Sequence, residues 1–188
     1  MAAPTNIERG RVARERLLAA ARDLIGEIGW NAVSTRILAE RAGVRPGLVH
    51  YHFESLQALL RQAVLEAMGD MLGGTAAFLA AAEDPAEGID AVLSGLDGHT
   101  GDDPTSLLFI EAYLAATRDV LLHERMQALM LDFRGVLAAA LDRAGHPAPD
   151  DAAAFILAVI DGFLLHKGLD PNLSAVRIAP LLRRVVEA

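Results

Sequence analysis

At 188 residues, 53% of them hydrophobic, the chain is long enough to bury a core, and its lack of cysteine excludes disulfides, thiolate metal sites and thiol nucleophiles together. The formal net charge of −8 argues against a general polyanion binder, but residues 1–53 hold eight arginines against five acidic residues, giving +3 there and leaving −11 for the rest. The N-terminal segment has no apolar stretch of signal-peptide length, and the apolar run 152–160 is far short of a bilayer span, which predicts a cytoplasmic protein with no membrane partner.

Glycine, proline and aspartate punctuation divides the chain into segments that read as helices, and no segment alternates like a strand. The expected fold is all-α, with about nine helices near residues 10–28, 34–41, 46–52, 54–82, 85–97, 104–117, 120–144, 150–167 and 175–187. Asp84-Pro85 and Asp103-Pro104 each place an acceptor at the N-cap and a proline at the first helical position, where its missing N–H costs nothing. Ser34, Asp150 and Ser174 are expected caps as well. Two places strain the reading: Gly69, Gly73 and Gly74 weaken the fourth helix by roughly 1 kcal/mol each, and Pro180 is expected to kink the last helix or to mark its start.

The informative stretch is STRILAERAGVRPGLVHYHF, Ser34 to Phe53, where a capped short helix, a glycine-bearing turn and a second short helix form a helix-turn-helix pattern. Ala39 is small enough for the helices to cross closely, Gly43 can take the left-handed conformation of the turn, and Val49 packs back on the first helix. Projected as a helix, the second segment turns Gly47, His50 and Tyr51 away from Val49 and Phe53. That outward side, with Arg45 and flanking His52, suits a major groove, and Arg36 can reach a guanine edge from the helix before it. Ser34 and Thr35, at the positive end of their helix, can bond a phosphate.

The run from Gly29-Trp30 through Leu59 resembles the N-terminal DNA-binding domain of the tetracycline-repressor family of bacterial transcriptional regulators. The matching residues are Gly29, Trp30, Ser34, Leu38-Ala39, Ala42-Gly43-Val44, Gly47, Tyr51-His52-Phe53, Ser55 and Leu59. The resemblance implies a three-helix DNA-binding head, 1–53, and a helical effector-binding and dimerisation body, 54–188. It also implies repression of a palindromic operator by a dimer and release by a small-molecule effector. Carried over by position, Thr35, Arg36, Arg45, Gly47, Leu48, His50, Tyr51 and His52 face DNA. His50 stands where the family usually has tyrosine and Leu56 where it usually has a phosphate-gripping lysine, so operator details do not transfer.

In the body, helix 150–167 is apolar nearly all round, and a helix of that kind is buried on two sides. Phe155, Ile156, Val159 and Phe163, with Leu181 and Val185 of the last helix, are expected at a twofold interface. One short recognition helix reads few bases, whereas two heads roughly 34 Å apart read a palindrome. Glu111 and Asp161 interrupt apolar surroundings, and a buried carboxylate requires either a partner such as arginine or histidine or a ligand to orient. With Phe109, Tyr113, Met126, Met130 and Phe133 nearby in sequence, they outline a mostly apolar effector pocket. His99, His123, His146 and His166 show no metal or triad spacing, so neither enzyme activity nor a metal or cofactor is expected. An activator, or a regulator without effector, built on the same head is the alternative.

Overall fold

The computed structural model describes residues 6–82 and 84–186, and among them the regular structure is entirely helical. The order is α1 (Asn6–Ile28), a 3-10 turn (Trp30–Ala32), α2 (Thr35–Ala42), α3 (Gly47–His52), α4 (Leu56–Ala81), α5 (Pro85–Leu96), α6 (Pro104–Ala116), α7 (Val120–Arg143), α8 (Pro149–Lys167) and α9 (Ala175–Val186). The expected last residue of α9, 187, lies outside the described residues.

Local chemistry explains most helix ends. Ser34 Oγ accepts the N–H of Ile37 at the start of α2, Ser55 Oγ that of Ala58 in α4, and Asp119 Oδ1 that of Leu122 in α7. Asp103 Oδ1 accepts from Thr105 and Ser106 while its Oδ2 accepts the Ser106 hydroxyl, and Pro104 follows at the first helical position. Burial raises the Asp103 carboxyl, but these bonds outweigh it and hold the group well below the ordinary aspartate range.

Two expected caps are not used. The backbone starts α8 at Pro149 after Ala148, with no side-chain cap, and leaves Asp150 and Asp151 inside the first turn, where they complement the helix dipole. At α9 the Ser174 hydroxyl does not cap its own helix. The N–H groups of Ala175 and Val176 donate to the carboxylate of Asp97, just beyond α5, at 2.8 and 3.4 Å. Asp97 also accepts from the ammonium of Lys167, buried at the end of α8, at 3.0 Å. The Ala175 bond foremost, then Lys167, depresses the Asp97 carboxyl to about 2. Pro180 lies inside α9 without breaking it, as a single missing donor in a helix held at both ends, since Arg183 pairs with Asp90 of α5.

Packing produces two apolar clusters. The first joins Leu17, Leu24 and Ile25 of α1, Leu38 and Val49 of the head, Leu59, Leu60 and Val64 of α4, Leu108 and Ala112 of α6, and Leu122 of α7. The second joins Leu79 of α4, Ile89 of α5, Leu137 and Leu141 of α7, Ile156 and Phe163 of α8, and Leu182 of α9. α4 runs through both, so it is the shared spine. By length and composition α4 could cross a membrane; here Leu59, Leu60, Ala63 and Val64 are buried in the core instead.

α1 lies against the start of α6 at a point where a side chain would not fit. A Cβ at Gly26 would stand 2.6 Å from the carbonyl oxygen of Pro104. Head and body therefore touch backbone to backbone there.

Candidate nucleic-acid interface

The turn between α2 and α3 is set by three residues. Gly43 takes φ 65°, its N–H returns to Glu40 O at 3.1 Å, and the N–H of Val44 returns to Ala39 O at 3.0 Å. This pair of bonds is a Schellman ending, which satisfies the last carbonyls of α2 and demands a left-handed residue at that position. Val49 of α3 is fully buried against Leu38 and Ala39, which fixes the roll of α3 and turns its other side to solvent.

On that outer side Arg45, Gly47 and His50 are exposed, and Tyr51 is 79% exposed. Arg36 projects into solvent from the first turn of α2; Thr35 is half-buried, as is Ser34, whose hydroxyl oxygen is already accepting from Ile37. Leu48 is half-buried and borders the outer side. Arg36, Arg45, His50 and Tyr51 thus bring exposed hydrogen-bond donors to α2, α3 and the turn between them, and Gly47 places no side chain beside them.

His52 is different. Its ring meets Tyr51 edge-on at 4.9 Å, Gly10 of α1 lies beside it, and its Nε2 is buried with no hydrogen-bond partner among the described residues. It is therefore turned back toward α1 and does not share the outer face. At about 100° per residue, position 52 lies about 60° from Val49, so the helical projection carries this signal.

Several head arginines are engaged within the chain. Arg11 pairs with Glu15 at 2.6 Å, and Arg41 with Glu27 through two hydrogen bonds that hold the Glu27 carboxyl below its ordinary range. Arg14 lies over the Phe53 ring at 5.2 Å, pinning α1 to the end of α3. Arg16, Arg36 and Arg45 are exposed and have no carboxylate partner among the described residues, so they carry the unspent positive charge of the head.

Of the residues expected at an effector pocket, Phe109, Met126 and Met130 pack in or against the first apolar cluster and Phe133 belongs to the second. Tyr113 faces solvent. Asp161 is exposed on α8, where desolvation by the surrounding protein raises its carboxyl above the ordinary range, and no partner is within bonding distance among the described residues. Glu111 has a partner of a kind the sequence did not suggest, because its Oε2 accepts the backbone N–H of Trp30 at 2.8 Å. It borders a cleft of about 620 Å³ between head and body, whose walls come from Trp30 and Asn31, from α4, and from the α6–α7 corner.

Of the residues expected at a twofold interface, Ile156 and Phe163 are buried in the chain's own core, because on α8 they fall on the side that packs against α7. Phe155 is 51% and Leu181 61% exposed, while Val159 and Val185 are half-buried. The outer line of α8 is instead Phe155, Ala158, Asp161 and Leu165. Among the described residues no group of three or more side chains could hold a metal ion.

Residues 17–63 match the family model described as bacterial regulatory proteins, tetR family, and residues 83–188 match the tetracyclin repressor-like C-terminal domain. Among curated proteins, the transcriptional regulator BetI of Rhizobium meliloti (strain 1021) is 34% identical over 82 residues, covering 44% of this chain and 40% of that protein. The class C tetracycline repressor of Escherichia coli is 38% identical over 58 residues, 31% of this chain and 26% of that protein. These matches thus span less than half of the curated relatives' length. Among solved structures, a transcriptional regulator of Streptomyces coelicolor A3(2) is 28% identical with a TM-score of 0.75, covering 94% of this chain and 99% of that one. A regulator of Rhodococcus sp. Rha1 is 28% identical with a TM-score of 0.77, covering 92% and 93%. The C-terminal family model alone takes in more than half of the chain, and together with the exposed face of α3 it establishes that the chain belongs to the tetracycline-repressor family of DNA-binding transcriptional regulators, a family of regulators and not of enzymes.

Proposed function

We propose that the protein is a cytoplasmic, effector-responsive repressor that binds a palindromic operator as a homodimer. The observation that carries this reading is the outer face of α3, where Arg45, Gly47, His50 and Tyr51 stand clear of the protein while Val49 anchors the helix from behind. We assign base and phosphate contacts to Thr35, Arg36, Arg45, Gly47, Leu48, His50 and Tyr51, with Ser34 offering its hydroxyl hydrogen to a phosphate. His52 supports α3 from the α1 side.

The division of labour places DNA binding in residues 1–53 and effector binding and dimerisation in 54–188. A dimer is supported by the exposed Phe155 and Leu165 of α8 and Leu181 of α9, which a second copy would cover as a four-helix bundle. Response to a small molecule is supported at the level of the fold by FadR of Bacillus subtilis, 16% identical with a TM-score of 0.70, whose structure is a complex with stearoyl-CoA.

A mobility-shift titration of DNA upstream of the gene tests the first part. Retention of that DNA by the full chain, with affinity falling steeply as salt rises, is expected; a shift that is absent or indifferent to salt overturns it. Phe155→Asp and Leu181→Asp are expected to convert a dimer to monomers by light scattering and to abolish the shift. Deletion of the gene is expected to raise transcription from the adjacent promoter, and a fall would assign activation instead.

A further inference from the structure

We infer that the cleft between head and body binds a small organic monoanion with an apolar portion, and that this occupant, bridging the two parts, is the effector; the second clause rests on the effector-responsive reading above. The volume of about 620 Å³ lies within the roughly 300–1,000 Å³ of small-molecule sites. Its chemistry follows from counting which polar groups are already used.

The acceptors are largely committed. Both oxygens of Asp119 are taken, one by Arg61 at 2.7 Å and the other by the N–H of Leu122 at 3.1 Å. Glu111 Oε2 holds the Trp30 N–H. The donors are not. The Trp30 indole can only donate, so the bond of 3.0 Å from its Nε1 obliges Gln57 to offer its oxygen and leaves the Gln57 amide N–H groups unused. Asn31 is exposed, and Arg118 has no carboxylate partner among the described residues. A cleft with spare donors and few spare acceptors selects an acceptor-rich ligand, and the free guanidinium of Arg118 selects a carboxylate.

Two further facts narrow the class. Arg61 is committed to Asp119, which leaves Arg118 as the lining guanidinium without a carboxylate partner among the described residues, a match for one negative charge and not for a dianion such as a phosphate ester. Beside Arg118 the wall is apolar and open, with Leu114 46%, Val120 70% and Leu121 59% exposed. A carboxylate on Arg118 with an alkyl or aryl body over these side chains covers that surface and reaches Asn31 of the head. The occupant therefore touches residues on both sides of the junction and fixes their relative position.

The test is calorimetric titration of the full chain with straight-chain carboxylates from acetate to decanoate and with benzoate, using the matching amines as controls. Binding by at least one carboxylate and by none of the amines is expected. In Arg118→Ala the affinity falls at least tenfold with the melting temperature unchanged, and in Leu121→Asp it falls comparably. Carboxylate binding that neither substitution weakens places the ligand elsewhere and overturns the assignment, as does failure of every carboxylate to bind. A mobility shift of upstream DNA run in parallel separates the two readings. Carboxylate binding without any DNA shift keeps the site and removes the regulator, whereas a DNA shift that saturating carboxylate does not alter keeps the regulator and removes the effector role.

Discussion

Glu111 Oε2 accepts the main-chain N–H of Trp30 at 2.8 Å, across 81 positions of sequence, and so ties the DNA-binding head to the middle of α6. Replacing Glu111 with alanine leaves that part-buried N–H unsatisfied, at a cost of about 1–3 kcal/mol. Glutamine keeps an acceptor in the same place. Chemical denaturation should therefore rank Glu111→Ala well below Glu111→Gln, with the glutamine variant close to the wild type.

The contact between Gly26 and Pro104 gives a second prediction. A methyl group at position 26 would lie 2.6 Å from a backbone oxygen that no side-chain rotation can move aside. Gly26→Ala is expected to destabilise the protein by about 1–3 kcal/mol, as overpacked cores do. Because the strain falls between α1 and α6, the same variant should change the emission of Trp30, the one tryptophan, before global unfolding begins.

Acid titration should report on Asp97. Its folded-state carboxyl is depressed to about 2 from an ordinary value of 3.8, so its contribution to stability is complete above pH 4 and is lost as pH falls toward 2. In Asp97→Asn, which keeps one acceptor oxygen but puts an amide NH2 in place of the other and removes the charge, melting temperature measured at neutral pH should drop, and the slope of stability between pH 4 and pH 2 should flatten relative to the wild type.

On the DNA face, Arg36→Ala should reduce discrimination between operator and unrelated DNA by about 1–3 kcal/mol if the guanidinium reads a base, whereas Arg45→Ala should weaken binding to all sequences and lower the salt slope by about 1. Tyr51→Ala should leave the melting temperature unaltered, since the ring is 79% exposed, while reducing operator affinity. His52→Ala should do the reverse and lower the melting temperature first. Competition shift assays beside thermal melts distinguish these cases.

Alanine at Gly69, Gly73 and Gly74 meets no atom within 4 Å at any of the three sites of α4. Each replacement should therefore raise stability by about 1 kcal/mol through helix propensity alone. If the softness of this helix carries effector binding to the heads, the triple variant will also hold its operator at effector concentrations that release the wild type. Unchanged release would refute that role.

What was legible in the sequence follows the range of the interactions. Ser34, Gly43 and Asp103 act on residues within a few positions of themselves, so α2, its turn and α6 could be placed from local chemistry. Val49 and the outward side of α3 follow from helical periodicity, and the same projection sets His52 apart from His50 and Tyr51. Asp97 serves N–H groups 78 and 79 positions away, and Glu111 finds a backbone donor in the head; no local pattern encodes either bond. α8 reads as apolar nearly all round, but which of its sides faces inward depends on α7, so periodicity does not distinguish Ile156 and Phe163 from Phe155.

The first apolar cluster makes no break at Phe53, because Leu17, Leu24 and Ile25 of the head rest on Leu60, Val64 and Ala112 of the body. A recombination event that exchanged only the first fifty or so residues with a sibling regulator would import half of a jigsaw. On the DNA-contacting role proposed for α2 and α3, a change of address on the chromosome that spares the fold requires either new solvent-facing residues on those two helices or exchange of the head together with the stretches of α4 and α6 that seat it.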